Sequence, residues 1–179
     1  MKRIFVIIGI AAIGLSSCDK ERPDTGGTNA QKMANEWWVQ LYDPTGALVY
    51  PASYHGHMAT YNSASNDNTI WIDDFPHISG TNWTGDIWAF KFKAVADLNS
   101  MTFAANQSAS DLVGRVGSTP VEYKLKVNVT EGKILEDAGK SRTGVVTDSI
   151  YMKIEFSDDP ATIYSIRGHA RTRFSEDDY

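Results

Sequence analysis

Val121-Glu122-Tyr123-Lys124-Leu125-Lys126-Val127-Asn128-Val129 alternates apolar and polar side chains along its whole length. Successive side chains of a strand point to opposite faces, so this run reads as a strand with one side in a core and the other in water. Two further runs repeat the pattern. Trp88, Phe90, Phe92 and Ala94 share a face opposed by Lys91 and Lys93, and Ile150, Met152, Ile154 and Phe156 share one opposed by Tyr151, Lys153 and Glu155. Half-wet strands of this kind belong to antiparallel sheets.

Working outward, weaker strands are expected at Glu36–Asp43, Tyr54–Asn62, Asn68–Asp74, Asn99–Ala105 and Thr162–Phe174. Turn residues separate them at Asp43-Pro44-Thr45-Gly46, Asn62–Asn66, Gly80–Gly85, Glu131-Gly132 and Asp158-Asp159-Pro160. A short helix is expected around Ser108–Val113, and Glu131–Gly144 reads as a long hairpin loop. The count is about eight strands joined mainly by hairpins, an all-β domain of barrel or sandwich type. No fixed repeat points to a propeller or solenoid.

Composition narrows the function classes. The 179 residues suit one domain. A formal charge of -5 with no basic block argues against nucleic acid as a partner. Hydrophobic residues at 42% support a packed core. The single cysteine, Cys18, excludes an internal disulfide and any multi-cysteine metal or cluster site, and no cofactor is implied.

That cysteine has another use. Met1-Lys2-Arg3 is a basic start, Ile4–Leu15 is an uncharged apolar run too short to span a bilayer, and Leu15-Ser16-Ser17-Cys18 follows at once. The arrangement resembles a bacterial lipobox, which implies cleavage before Cys18 and acylation of its thiol. Residues 1–17 are then a lipoprotein signal peptide, 18–35 an acylated cysteine with a flexible tether, and 36–179 the folded domain. Asp19–Lys32 carries Pro23, Gly26 and Gly27 and no large apolar residue. As a flexible coil it would reach on the order of 20 Å. The expected location is the outer membrane, lipid-anchored on its periplasmic or cell-surface face. Acidic Asp19-Lys20-Glu21 resembles the surface-export signal of some Bacteroidota lipoproteins.

Asn35-Glu36-Trp37-Trp38-Val39 opens the domain, Asp148-Ser149-Ile150-Tyr151-Met152-Lys153-Ile154 lies within it, and Ile166-Arg167-Gly168-His169-Ala170-Arg171-Thr172-Arg173-Phe174 closes it ahead of acidic Ser175–Tyr179. With the lipobox, these segments resemble a family of Bacteroidota lipoproteins labelled "lipid-binding putative hydrolase", over Glu36–Tyr179. The resemblance implies a single antiparallel eight-stranded calycin-like (lipocalin-like) barrel that binds a lipid or other small apolar ligand. It also implies a Trp packed under an Arg at the closed end, with Trp37 or Trp38 paired with Arg171 or Arg173. Asn35 stands where a calycin would place Gly.

The candidate site residues follow from the last strand and one loop. Arg167, His169, Arg171 and Arg173 share a face that is either a solvated exterior or an inward row meeting the anionic head of a ligand, for which the Arg fork is suited. Trp83 sits in Ser79-Gly80-Thr81-Asn82-Trp83-Thr84-Gly85, where it would act as a lid, a stacking platform or a plug. His55-Gly56-His57 could share a metal only if His77, Asp73, Asp74 or His169 came close, and a polar loop is the simpler reading. A G-x-S-x-G elbow is absent, and the adjacent carboxylates Asp73-Asp74, Asp158-Asp159 and Asp177-Asp178 would face opposite ways on a strand. Two classes compete with lipid binding: a hydrolase of lipid or glycan substrates, and a structural accessory subunit of an outer-membrane complex.

Overall fold

A computed structural model describes residues 26–51 and 54–179. The expected signal peptide, Cys18 and the first part of the tether lie outside the described residues. The described chain forms β1 (Asn35–Tyr42), β2 (Leu48–Tyr50), β3 (Gly56–Asn62), β4 (Thr69–Asp73), β5 (His77–Ser79), β6 (Asn82–Thr84), β7 (Lys91–Asp97), β8 (Thr102–Val116), β9 (Thr119–Lys140), β10 (Val146–Phe156) and β11 (Asp159–Ala170). Short 3-10 turns at Gln31–Met33 and Ser175–Asp177 flank them.

Strands β1, β3, β4, β7, β8, β9, β10 and β11 each pair antiparallel with the next, and β11 returns to pair with β1. The ring is therefore an eight-stranded up-and-down barrel, as the resemblance implied and as one of the two architectures the strand pattern allowed. Closure removes the free edges an open sheet would expose. Strand β2 is appended to the end of β1 beyond β3, and β5–β6 is a separate two-stranded hairpin.

The alternating runs set which face is inside. Trp37, Val39 and Leu41 of β1 point into the lumen with no accessible surface, and Trp38, Gln40 and Tyr42 point out. Phe92, Ala94 and Ala96 of β7 are buried opposite exposed Lys91, Lys93 and Val95. Leu125, Val127 and Val129, with Ile150, Met152, Ile154 and Phe156, complete the inner wall. Val121 and Tyr123 are only half-buried, because the β8–β9 hairpin runs past the end of β10 there.

The lumen is filled by these side chains. Trp37, Leu41, Met58, Ile70, Ile72, Phe90, Phe92, Met152, Phe156 and Ile166 all have zero accessible surface, and a ligand-sized hollow would have given its lining some. Eight strands make an interior just wide enough for side chains. At one end the 3-10 turn plugs the barrel: Met33 is 1% exposed, the Thr60 hydroxyl donates to its carbonyl, and the Trp37 indole N–H donates to Thr60 Oγ1 at 2.9 Å. Ala30 and Met33 of the expected tether thus take part in the core.

Several local expectations need correction. Ser108–Val113 is strand, not helix. Beyond a bulge at Ala105–Ser108, Ser110 Oγ accepts from Lys91 N (2.8 Å) and the Ser108 hydroxyl donates to Lys93 O (2.8 Å), so serine hydroxyls stand in for the β7–β8 ladder. Glu131–Gly144 is mostly strand too, since β9 continues to Lys140. Gly132 marks a close approach rather than a turn, because a Cβ there would lie 2.3 Å from Phe103 Cε2. Gly80–Gly85 holds strand β6. The last strand leaves the sheet after Ala170, which takes Arg173 out of the basic row, at φ +67°.

Candidate functional site

The register of β11 on β1 decides the basic row. Ile166, Gly168 and Ala170 face Leu41, Val39 and Trp37 in the lumen, while Arg167 and His169 pair with Gln40 and Trp38 on the outer wall. Arg167, His169 and Arg171 are therefore on the outer wall and not the inward row, with His169 covered there by His55 and Tyr179. Gly168 keeps β11 against β1: a Cβ would meet Trp38 O at 2.1 Å.

Arg167 stacks over the Tyr42 ring, 4.6 Å from its centroid, and has no ion-pair partner among the described residues. It lines an open groove of about 480 Å³ with Lys153, Tyr151, Ile163, Tyr164 and the turn Asp43–Gly46. The Asp43 carboxylate is turned into its own loop, accepting from Thr45 N, the Thr45 hydroxyl and Ala47 N, and the Thr45 hydroxyl leads in holding it below the usual carboxylate range. The groove thus presents a free guanidinium beside exposed Ile163, which is 47% accessible. A second groove, of about 590 Å³, lies where β8 bulges, lined by Val95, Ala104, Ala105 and Val129 with Asn106, Asn128, Thr130 and Glu155.

Arg171 is fully engaged. It donates to both carboxylate oxygens of Asp178 (2.8 and 2.8 Å) and to Glu36 (3.2 Å), and its guanidinium lies 5.3 Å from the Trp38 ring. The Arg-over-Trp contact falls to Arg171 and Trp38, with Trp37 inside the barrel. His55 and His57 do not converge. His55 lies 3.9 Å from the Tyr179 ring and His57 stacks on Phe75 at 4.5 Å. Among the described residues no three His, Cys, Asp or Glu side chains come together at metal-binding spacing. His169 is 8% exposed and packs edge-on to His55 and Tyr179. Burial pushes both His55 and His169 below the ordinary histidine value.

Trp83 is a fastener here. Its indole N–H donates to Val121 O at 3.0 Å, and its ring lies over Gly114, where an added Cβ would be 3.0 Å from Cζ2. It ties the β5–β6 hairpin to the tip of β8–β9. Next to it, Asp74 is completely buried and accepts from Ile87 N and Trp88 N (2.8 Å each), organising the loop before β7. Desolvation raises its pKa well above the usual carboxylate value, although both backbone bonds oppose the shift. Sequence reasoning weighed Asp74 only as a possible third ligand to the His55/His57 pair and as one of two adjacent carboxylates facing opposite ways, and missed its role as a buried backbone acceptor. The signal was Gly85, which leaves no room for a Cβ beside the Asp74 carboxylate (2.1 Å).

Fold and exterior together define a small closed antiparallel barrel of lipocalin-like shape, with a packed lumen and its polar features on the outer wall. The chain belongs to the family described as "Lipid-binding putative hydrolase", whose model matches residues 22–175. Lipid binding is thus the function attached to its family. No curated protein matches the chain.

Proposed function

We propose that the protein is a lipoprotein, anchored through acylated Cys18 in the outer membrane, that holds a lipid with an anionic head on its outer wall at Arg167. The observation that carries the reading is a guanidinium without a carboxylate partner, set in a groove beside exposed Ile163. With the lumen filled, a lipid has to be held from outside. An open groove suits the head and first carbons of a chain rather than a whole buried tail. Charge-assisted hydrogen bonds are worth roughly 1.5–3 kcal/mol each, enough to select anionic over neutral heads.

The test is a fluorescent fatty acid titrated into the delipidated protein, against a neutral monoacylglycerol probe. Arg167→Ala should weaken the fatty acid by about tenfold or more and leave the neutral probe unchanged. No binding of either probe at micromolar concentration would remove this reading in favour of a structural accessory subunit, which the filled lumen also suits. Anchoring is tested separately. Cys18→Ala should leave an unprocessed or soluble form, and normal processing with normal membrane partitioning would refute it.

A further inference from the structure

The β8–β9 ladder breaks on both sides of one rung. Ala105 pairs with Val129 and Ser108 with Val127, so three steps along β8 oppose two along β9. On the other side Phe103 pairs with Gly132, and two steps of β8 oppose three of β9. Strand β10 meets the same break, with Lys153 beside Glu131 and Ile154 beside Val129, which leaves Thr130 without an opposite residue on either strand. Bulges on neighbouring strands therefore flank the Ala105–Val129 rung. A bulge bends its strand and re-aims the side chains it carries. Between them lies the outer-wall groove of about 590 Å³, and a smaller one of about 190 Å³ shares Asn128 and Glu155 with it.

The side chains gathered at the bulges are of one kind. Asn106, Gln107, Asn128 and Thr130 carry neutral donors and acceptors, and Glu155 is the single charged residue of the larger groove. Gln107 is held at φ +49°, a left-handed conformation that is costly without glycine and persists only where its surroundings over-determine it. Asn128 does so. Its Oδ1 accepts from Gln107 N (2.7 Å) and Gln107 Nε2 (3.2 Å), and its Nδ2 donates to Glu155 (3.3 Å). The Asn106 carboxamide and the Thr130 hydroxyl have no hydrogen-bond partner among the described residues. Ala105 and Val129 supply an apolar floor, with Val95 exposed at its margin.

We propose that this groove binds a short neutral oligosaccharide. A sugar ring has apolar C–H faces and a rim of hydroxyls that both donate and accept. Carboxamides do both in one plane, and the floor takes the ring face. From Val95 on β7 to Glu155 on β10 is three interstrand steps, about 14 Å, which is room for more than one ring. Other ligands fit less well. An anionic head would meet Glu155 and find no cation in the larger groove, and a divalent cation needs more oxygen ligands than one carboxylate offers. An added peptide strand needs a free backbone edge, and the β7 edge is taken: Ser110 Oγ accepts from Lys91 N, and the Ser108 hydroxyl donates to Lys93 O. The site shares no lining residue with the Arg167 groove and does not depend on lipid binding there.

The probes are maltotriose, cellotriose and tri-N-acetylchitotriose, titrated into the full chain and followed by saturation-transfer NMR. At least one should bind with a Kd of about 1 mM or below. Asn106→Ala and Thr130→Ala remove side chains that hold nothing else in the fold, and each should weaken that sugar by about three- to tenfold. Arg167→Ala should leave it unchanged, and Asn106→Ala should leave a fatty-acid probe unchanged, so failure of either site is read separately from the other. The permethylated form of the bound trisaccharide, which has lost its hydroxyl donors, should not bind; this arm leaves the protein untouched. No binding of any of the three sugars at about 10 mM would overturn the proposal, as would equal binding by the permethylated sugar or by both variants. Acetyl-trialanine amide competing as well as the sugar would make the groove a peptide site instead.

Discussion

Replacing Trp83 by Ala distinguishes a fastener from a lid. The indole N–H to Val121 O bond at 3.0 Å is worth about 1 kcal/mol. The ring is half-buried against Gly114 and the tip of the β8–β9 hairpin, so its removal forfeits about half of the 3–5 kcal/mol typical of a fully buried aromatic. The sum is a loss of about 2.5–3.5 kcal/mol, but a local one, because beyond the bulge the tip pairs with β7 only through two serine hydroxyls. Native-state hydrogen exchange is the suitable assay, since sub-global openings report their own free energies. Amides of residues 110–125 should lose roughly 30-fold or more in protection, with those of Trp37–Leu41 and Ile150–Ile154 nearly unchanged. Unchanged protection at 110–125, together with faster release of a bound lipid, would refute the fastener and restore the lid.

The filled lumen predicts that Phe92→Ala or Met152→Ala costs about 2–5 kcal/mol in urea unfolding, and a loss under 1 kcal/mol would mean a hollow is already there. Burial raises the Asp74 pKa, so the folded state binds that proton more tightly than the unfolded one. Its stabilisation is complete below the unfolded value near 3.8 and is lost as pH rises through the folded value. The stability of wild type relative to Asp74→Asn should therefore fall as pH is raised from about 3.5 to 7, and a flat difference would contradict this. His55 and His169 are shifted the other way for a base, below 6.5 by burial, with Asp177 opposing at His169 and with Glu36, Asp178 and Arg171 also facing the cluster. Packing of Tyr179 over these imidazoles is favoured above 6.5 and loses that support as pH falls through the lowered values. Exchange of the tail amides, corrected for intrinsic rate, should then rise between pH 7 and 5, and equal protection at both would count against it.

The barrel was legible because three strands are wet on one side only. Phe92, Leu125, Val127, Met152 and Ile154 had to be inside once Lys91, Lys93, Lys126 and Lys153 were outside. The errors fall where backbone partners are replaced by something periodicity does not encode. The Ser108–Val113 stretch, expected as a short helix, lacks a clean apolar–polar alternation, whereas Ser110 is fully buried and holds a strand by its hydroxyl. Gly132 and Gly80 look alike in sequence. One sits under Phe103 as a close approach, and the other turns a hairpin at φ +64°.

The outer wall was harder to read, because its chemistry depends on which residues neighbouring strands bring level with one another. Arg167 and Arg171 are four residues apart on the same face of the alternation, and nothing in the pattern separates them. Register and the returning tail do. Arg167 lands beside Gln40 with Tyr42 beneath its guanidinium, whereas Arg171 lands beside Glu36 and receives Asp178 from a segment seven residues further on. One cation has no carboxylate partner among the described residues, and the other is committed to the chain itself. The last strand thus carries the one and the residue just beyond it the other, and the acidic tail that looked like a solvated end makes the difference between them.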